Sequence, residues 1–308
     1  MPRASRSRPS ASPDTFPSDR FTLGTGDRAL DCRPGSPEVS GAHVMGILNA
    51  TPDSFSDGGQ YVTVEAALSR AAELLSEGAS IIDVGGESTR PGADPVSQED
   101  ERDRVVPVID AITDQFPEAL VSVDTYKPPV ARAALAAGAH IVNDVTGLRH
   151  HPEMAAAAAD WNAPLVLMHS EGEPGDLTRP REYDDVTAEV RDALARSVTT
   201  AREAGVEQIV VDPGFGFGKS DAENLRLLNE VDELLTLNCP VLVGVSRKST
   251  IGRTLGTPDD PAPVDERLYG SLGATAAAVA RGATLVRTHD VAPTVEMLKV
   301  LGATLRQG

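Results

Sequence analysis

Eight short apolar runs, each followed by a segment of helical length, predict an α/β fold: a parallel, eight-stranded (β/α)8 TIM barrel. A second observation agrees. Hydrophobic residues make up 40% of the 308-residue chain but aromatics only 4%. The core must then be built of Val, Ile, Leu and Ala, the composition of parallel strands buried on both faces. The third observation is size, since the units fill 41–308 and a closed barrel of this kind usually takes roughly 250 residues. An open doubly wound sheet is the alternative. It usually carries a Gly-rich phosphate fingerprint after its first strand, and none stands there.

The strand runs are 44–50, 80–86, 120–125, 140–146, 164–169, 208–213, 240–246 and 284–290. The helical stretches are 64–77, 99–115, 128–137, 152–161, 182–204, 220–235, 267–281 and 291–306. Gly78, Gly138, Gly205 and Gly282 fall just past the last periodic residue of their helices, where a left-handed cap is wanted. Strict alternation implies right-handed crossovers between parallel strands. Residues 1–40 are rich in Arg, Ser, Pro and Asp and show no periodicity, so they are expected to form a disordered or loosely attached N-terminal extension. Their aspartates argue against a transit peptide. The catalytic domain is expected to span 41–308.

Charge and composition exclude several classes. A net charge of −18 and a pI near 4.7 oppose non-specific nucleic-acid binding, which needs a basic face. No apolar run approaches the ~18 residues of a membrane helix, and no apolar signal core opens the chain, so no membrane partner and a cytoplasmic location are expected. Cys32 and Cys239 are the two cysteines and no CxxC occurs, which disfavours a disulfide framework or a cysteine zinc site. Lysines number four against 24 arginines. Two readings of this acidic, lysine-poor surface stand open: codon bias on an ordinary surface, or adaptation to a high-salt cytoplasm that screens carboxylate repulsion.

In such a barrel the active site lies at the C-terminal ends of the strands. Polar residues end the predicted strands throughout: Asn49, Asp83 with Glu87, Asp124, Asn143 with Asp144, His169, Asp212, Ser246 with Arg247 and Lys248, and Arg287 with His289. Any one of these alone is ordinarily structural. Eight strand ends of this kind exceed what a purely structural barrel needs.

The motifs are specific. Residues 49–59 read Asn-Ala-Thr-Pro-Asp-Ser-Phe-Ser-Asp-Gly-Gly, and 83–92 read Asp-Val-Gly-Gly-Glu-Ser-Thr-Arg-Pro-Gly. Ser-Val-Asp-Thr at 122–125, Asn-Asp-Val-Thr-Gly at 143–147, Asp-Pro-Gly-Phe-Gly-Phe-Gly-Lys at 212–219, Ser-Arg-Lys at 246–248 and Arg-Thr-His at 287–289 follow in order. In these segments the chain resembles the dihydropteroate synthases over essentially all of 44–304. The resemblance implies an enzyme, a transferase of folate biosynthesis. It would condense 6-hydroxymethyl-7,8-dihydropterin diphosphate with p-aminobenzoate, giving 7,8-dihydropteroate and pyrophosphate.

The residues also make physical sense in those roles. A pterin ring donates from N3 and its 2-amino group, so a buried carboxylate suits that edge and an amide complements the adjoining positions. The resemblance gives Asp212 the first role and Asn143 the second, places Asp124 in the same pocket, packs Met168 on the pterin face, and aims Lys248 at the O4/N5 edge. Asp124, Asp212 and Lys248 are the expected catalytic residues. Asn49, Arg287 and His289 match the diphosphate-binding residues. Mg2+ is the implied cofactor; it prefers oxygen ligands and often shares substrate phosphates, with Asn49 and Asp57 as candidate ligands. Phe55, Thr89, Arg90, Phe217 and Ser246 match the p-aminobenzoate contacts. A homodimer through barrel helices is also implied, and the small residues of 267–281 would permit close helix contact.

Substitution at the pterin methylene needs no protein nucleophile, and no Ser–His–Asp or Cys–His arrangement is evident. The arylamine is already neutral at pH 7, so departure of pyrophosphate is the demanding step. Two places depart from the family pattern. Loop five reads Met-His-Ser-Glu-Gly-Glu-Pro at 168–174, where a second Met and a Thr are more usual, and position 50 is Ala where Val is usual. Two rivals are a methyltetrahydrofolate-dependent corrinoid methyltransferase, which needs no diphosphate site, and a catalytically silent pterin-binding paralogue. A bifunctional chain is disfavoured, because 1–40 is too short for a second enzyme domain.

Overall fold

The protein is described by a computed structural model covering residues 16–24, 28–35, 41–51, 64–88, 94–172, 176–177, 179 and 181–306. A short antiparallel hairpin, β1 (Thr22–Leu23) and β2 (Leu30–Asp31), precedes the barrel. The barrel strands are β3 (His43–Asn49), β4 (Ile81–Gly85), β5 (Leu120–Asp124), β6 (Ile141–Asp144), β7 (Leu165–Met168), β8 (Ile209–Asp212), β9 (Leu242–Val243) and β10 (Leu285–Thr288). All pair in parallel, in the order β8-β7-β6-β5-β4-β3-β10-β9. A parallel bridge between Val211 and Val241 closes the ring, with the Val211 amide donating to the Pro240 carbonyl at 3.0 Å. The helices are α1 (Val64–Ser76), α2 (Gln98–Gln115), α3 (Pro128–Ala136), α4 (Met154–Ala159), α5 (Val186–Glu203), α6 (Asp221–Asn229), α7 (Ser249–Leu255), α8 (Leu268–Val279) and α9 (Val291–Leu305).

The predicted eight-stranded parallel TIM barrel is what forms. Successive side chains on a strand face opposite ways. Val44, Leu48, Ile82, Val84, Val121, Val123, Val243 and Val286 therefore pack outward in the main core with the helices. The other set faces the axis. Met45, Ile81, Leu120, Ile141, Val166, Val210, Leu242 and Leu285, one from each strand, form a single buried apolar layer. The predicted glycine stops all hold: Gly78, Gly138, Gly205 and Gly282 have φ of 99°, 100°, 95° and 109°.

Within 1–40, the described hairpin is packed onto the barrel. Leu23, Leu30 and Cys32 pack onto the apolar layer from the side opposite the strand ends, sealing the barrel floor. Phe21 and Cys32 are fully buried. Gln208 pins the hairpin, accepting from the Gly24 amide at 2.8 Å and donating to the Gly24 carbonyl at 3.1 Å. Strands of two residues are too short to write a period into the sequence, so composition gave no sign of this hairpin. Leu23→Ala is expected to cost about 3 kcal/mol of unfolding free energy, the usual range for a leucine removed from a closed core, while leaving KM values unchanged. Denaturant titration beside steady-state kinetics checks this.

Three local differences follow from backbone chemistry. The run 240–246 gives only a two-residue ladder at β9, because the chain turns away at Gly244–Ser246 toward the unforeseen short helix α7. The stretch 220–235 splits into α6, begun by a Ser220/Glu223 capping box, and a 3-10 turn over Val231–Leu237. The stretch 182–204 becomes helical only at Val186, after Asp185 caps the Ala188 amide at 3.4 Å.

Candidate functional site

Strand register sets the chemistry at one height. Asn49 is paired with Gly85, Gly85 with Asp124, and Asp124 with Asn143, so three polar side chains and one bare glycine share a level across β3–β6. Met168 is level with Asp212 on β7 and β8. Arg287 sits deeper, opposite Met45, and its long side chain crosses the barrel. Its Nε donates to Asp83 Oδ2 and its Nη2 to Asp124 Oδ2, both at 2.6 Å. Asn143 Nδ2 donates to the same Asp83 oxygen at 3.2 Å.

Asp83 thus belongs to the ion network at the strand ends, where sequence reasoning gave it no role beyond ending a strand. It is fully buried and anchors both Arg287 and Asn143, and its Oδ1 has no hydrogen-bond partner among the described residues. The signal was present: alternation along β4 turns Ile81, Asp83 and Gly85 inward together. An inward carboxylate below the strand end requires a cation from across the barrel.

The charges are strongly interdependent. Burial pushes the Asp124 carboxyl up to about 7, against the pull of Arg287 and with the repulsion of Asp83. Burial alone would lower the Arg287 pKa, but the attraction of Asp83 and Asp124 more than offsets it and holds the guanidinium charged. Asp212 is likewise raised by burial, opposed by Lys248. Lys248 is pulled down to about 8 by burial, opposed by Asp212 and aided by Arg287.

Asp212 Oδ1 accepts from the Gly214 amide at 2.7 Å, and its Oδ2 makes no hydrogen bond among the described residues. Lys248 precedes α7 and reaches back to donate to the Phe215 carbonyl, with its Nζ 4.3 Å from the centre of the Phe217 ring. Between Ser246 and Lys248, Arg247 adopts φ 59°, a left-handed conformation unusual outside glycine. Surrounding contacts hold it there. Its amide donates to Ser271 Oγ at 3.0 Å, its carbonyl accepts from Arg267 at 3.0 Å, and its guanidinium engages Asp290. Arg247 is thereby drawn outward while Lys248 turns to the 213–219 loop and Ser246 to the end of β10. Ser246 Oγ lies 3.0 Å from His289 Nδ1 and accepts from the His289 amide at 3.2 Å. Tyr126, Val145, Met168, Leu177 and Phe217 form a separate apolar cluster, two of whose members belong to the predicted site.

The structure therefore brings Asn49, Asp124, Asn143, Met168, Asp212, Phe217, Ser246, Lys248, Arg287 and His289 to one end of one barrel. Phe55, Asp57, Thr89 and Arg90 lie outside the described residues. Asp144 does not join. It accepts from the Thr146 amide and hydroxyl and from the Leu148 amide, at 2.8, 2.7 and 2.8 Å, and so shapes the turn after β6. His169 sits 3.4 Å from Glu171 beside Tyr183, with burial lowering it to about 4. Glu87 pairs with Lys127, which also meets Glu101 at 2.5 Å and ties the root of loop two to α2.

Residues 45–289 match the family described as pterin binding enzyme. The chain is 46% identical over 272 residues to the dihydropteroate synthase of Escherichia coli K12, covering 88% of this chain and 94% of that one. It is 51% identical over 263 residues to a probable bifunctional folylpolyglutamate synthase/dihydropteroate synthase of Halobacterium salinarum, covering 85% of this chain and 31% of that longer protein. Its fold matches a structure of Xanthomonas albilineans dihydropteroate synthase with 4-aminobenzoic acid at TM-score 0.82 and 45% identity, covering 93% and 98% of the two chains.

Proposed function

The chain belongs to the dihydropteroate synthases, within the pterin-binding enzymes, and from that premise we propose how its residues divide the work of the reaction. The enzyme joins 6-hydroxymethyl-7,8-dihydropterin diphosphate to p-aminobenzoate and releases pyrophosphate. Asp212 accepts from the pterin N3 and 2-amino edge, Asn143 complements its neighbour, Met168 packs on the ring, and Lys248 donates to the O4/N5 edge. Asn49, Arg287 and His289 receive the diphosphate. Phe217 and Ser246 face p-aminobenzoate, with Thr89, Arg90 and Phe55 completing that slot from the loops. The carrying observation is the convergence of Asp124, Asn143, Asp212 and Lys248, through Arg287, at one barrel mouth.

Chemistry follows from the charges. As the carbon–oxygen bond to the diphosphate breaks, positive charge grows on the pterin methylene and negative charge on the leaving group. Asp124 and Asp212 favour the first, Arg287 and His289 the second. The amine of p-aminobenzoate attacks as a neutral nucleophile, and apolar Met168 and Phe217 exclude water that would otherwise divert the electrophile to the alcohol. A corrinoid-dependent methyl transfer would have no diphosphate to place beside Asn49 and His289.

The donor set fits Mg2+ held chiefly by substrate and water. Among the described residues no group of three or more His, Cys, Asp or Glu gathers to cage a metal. Asn49 presents a hard amide oxygen at the mouth with no hydrogen-bond partner among the described residues, and Asp57 would add a carboxylate. When bound, Mg2+ would neutralise diphosphate charge. A homodimer is the proposed assembly. Leu255, Val264 and Tyr269 are exposed together around α7 and α8, Tyr269 by 83%. A cytoplasmic location is proposed with it; no described helix is long and apolar enough to cross a membrane.

Isothermal titration tests the binding order. Pterin diphosphate with Mg2+ should bind first, and p-aminobenzoate only to that complex. Equal binding of p-aminobenzoate to the free protein would remove the reading of a slot completed by the first substrate. Lys248 adds a pH prediction. Its lowered pKa keeps it charged below about 8 and neutral above. Pterin diphosphate affinity should therefore fall as pH rises through about 8, and a flat profile from pH 7 to 9.5 would contradict the assignment.

A further inference from the structure

We propose that Lys219 is a positioning residue for the p-aminobenzoate slot: its buried ammonium grips three backbone carbonyls and so sets where the Phe217 ring stands. The inference rests on the reading of Phe217 as a wall of that slot.

Lys219 is only 7% exposed, and its Nζ lies 2.9 Å from the Phe217 carbonyl, 3.0 Å from that of Gly214 and 3.4 Å from that of His169. Three acceptors match the three donors of an ammonium. The loop around it cannot hold itself by strand pairing, since β8 ends at Asp212. Gly214 (φ 68°) is where the chain must pass closest: a Cβ there would stand 1.9 Å from the His169 carbonyl oxygen. Asn224 supports the same loop, accepting from the Gly216 amide at 2.7 Å and donating to the Lys219 carbonyl at 3.1 Å.

A lysine that only stabilised the loop would have no bearing on substrate. Two contacts connect this one to the site. One of its three acceptors is the carbonyl of Phe217 itself. The other face of the loop meets Lys248, which donates to the Phe215 carbonyl and places its Nζ over the Phe217 ring. The segment is thus gripped between two lysines, and a shift on the Lys219 side moves the ring beneath a cation that stands at the start of α7. Burial pulls the Lys219 ammonium down to about 7 against the attraction of Asp212, so the carbonyls and that carboxylate are what make the charge tolerable there.

The experiment is a kinetic cycle on the Mg2+-loaded enzyme with Lys219→Met, Phe217→Leu and the double variant. Lys219→Met should raise KM for p-aminobenzoate at least about tenfold while KM for pterin diphosphate stays within about twofold. Lys219→Gln, which keeps two donors, should recover part of the loss. Because Lys219 acts through Phe217, the double variant should be no worse than the worse single one. Fully multiplicative effects, or equal rises in both KM values, overturn the proposal. If Phe217→Leu leaves KM for p-aminobenzoate unchanged, the slot reading fails first and takes the inference with it. If Phe217→Leu raises it and folded Lys219→Met does not, the inference alone fails. Should neither Lys219 variant be soluble, 15N-lysine NMR of the wild type decides. With four lysines in the chain, the Lys219 signal should be exchange-protected and should move when p-aminobenzoate joins the pterin complex. An unmoved signal overturns the proposal.

Discussion

Asp212→Asn should lower kcat/KM by about a thousandfold, roughly 4 kcal/mol, while the protein stays folded. The substitution keeps the shape. An asparagine oxygen can still accept from the Gly214 amide, now 2.7 Å from Asp212 Oδ1. The other position becomes an NH2 facing the pterin edge, which itself donates, so two donors meet in a buried pocket and neither is satisfied. Lys248 also loses the carboxylate that most favours its charge. The alkaline limb of the pH profile should therefore move below the wild-type value of about 8. Coupled pyrophosphate release measures the rate and thermal melting the fold. Activity within tenfold of wild type would remove Asp212 from the pterin edge.

Arg287→Met should abolish measurable turnover and lower Tm by about 10 °C near neutral pH, from the 3–5 kcal/mol typical of a broken buried ion pair. The guanidinium is the cation that both Asp83 and Asp124 hydrogen-bond, at 2.6 Å each. Without it, two carboxylates share a buried space. The pH dependence has a definite sign. Burial already raises Asp124 in the folded protein to about 7, above its unfolded value. The native state then binds more protons than the unfolded one between about pH 4 and 7, and stability falls as pH rises through that window. Removing Arg287 withdraws the opposing pull, so the fall should extend to higher pH. The Tm deficit of the variant should be smaller at pH 5 than at pH 8. Equal deficits at both would mean that the guanidinium does not hold these acids.

The barrel was legible because its signals are local. Eight runs of Val, Ile and Leu punctuated by helices with glycine stops need no knowledge of distant contacts. The polar strand ends were legible for the same reason, since strand direction places them all at one end. What the sequence did not reveal is non-local or very short. Arg287 meets Asp83 and Asp124 across 204 and 163 positions of chain, so the resemblance could assign Arg287 to a diphosphate while nothing in the sequence joined it to its two acids. The β1–β2 hairpin has strands of two residues, and its burial depends on a floor contributed by eight other strands. Helix α7 is seven residues long, and no amphipathic period fits within it. Asp144 stood beside Asn143 among the polar strand ends, yet adjacent residues of a strand face opposite ways, and Asn143 is the one that reaches Asp83 in the barrel interior.

The direct test is a crystal structure of the protein with 6-hydroxymethyl-7,8-dihydropterin diphosphate. The Asp212 carboxylate should lie about 3 Å, hydrogen-bonding distance, from both N3 and the 2-amino group, with Asn143 and Lys248 on the same ring and the diphosphate beside Asn49 and His289. A heterocycle bound outside the barrel mouth, or one whose amino edge turns away from Asp212, would contradict the account.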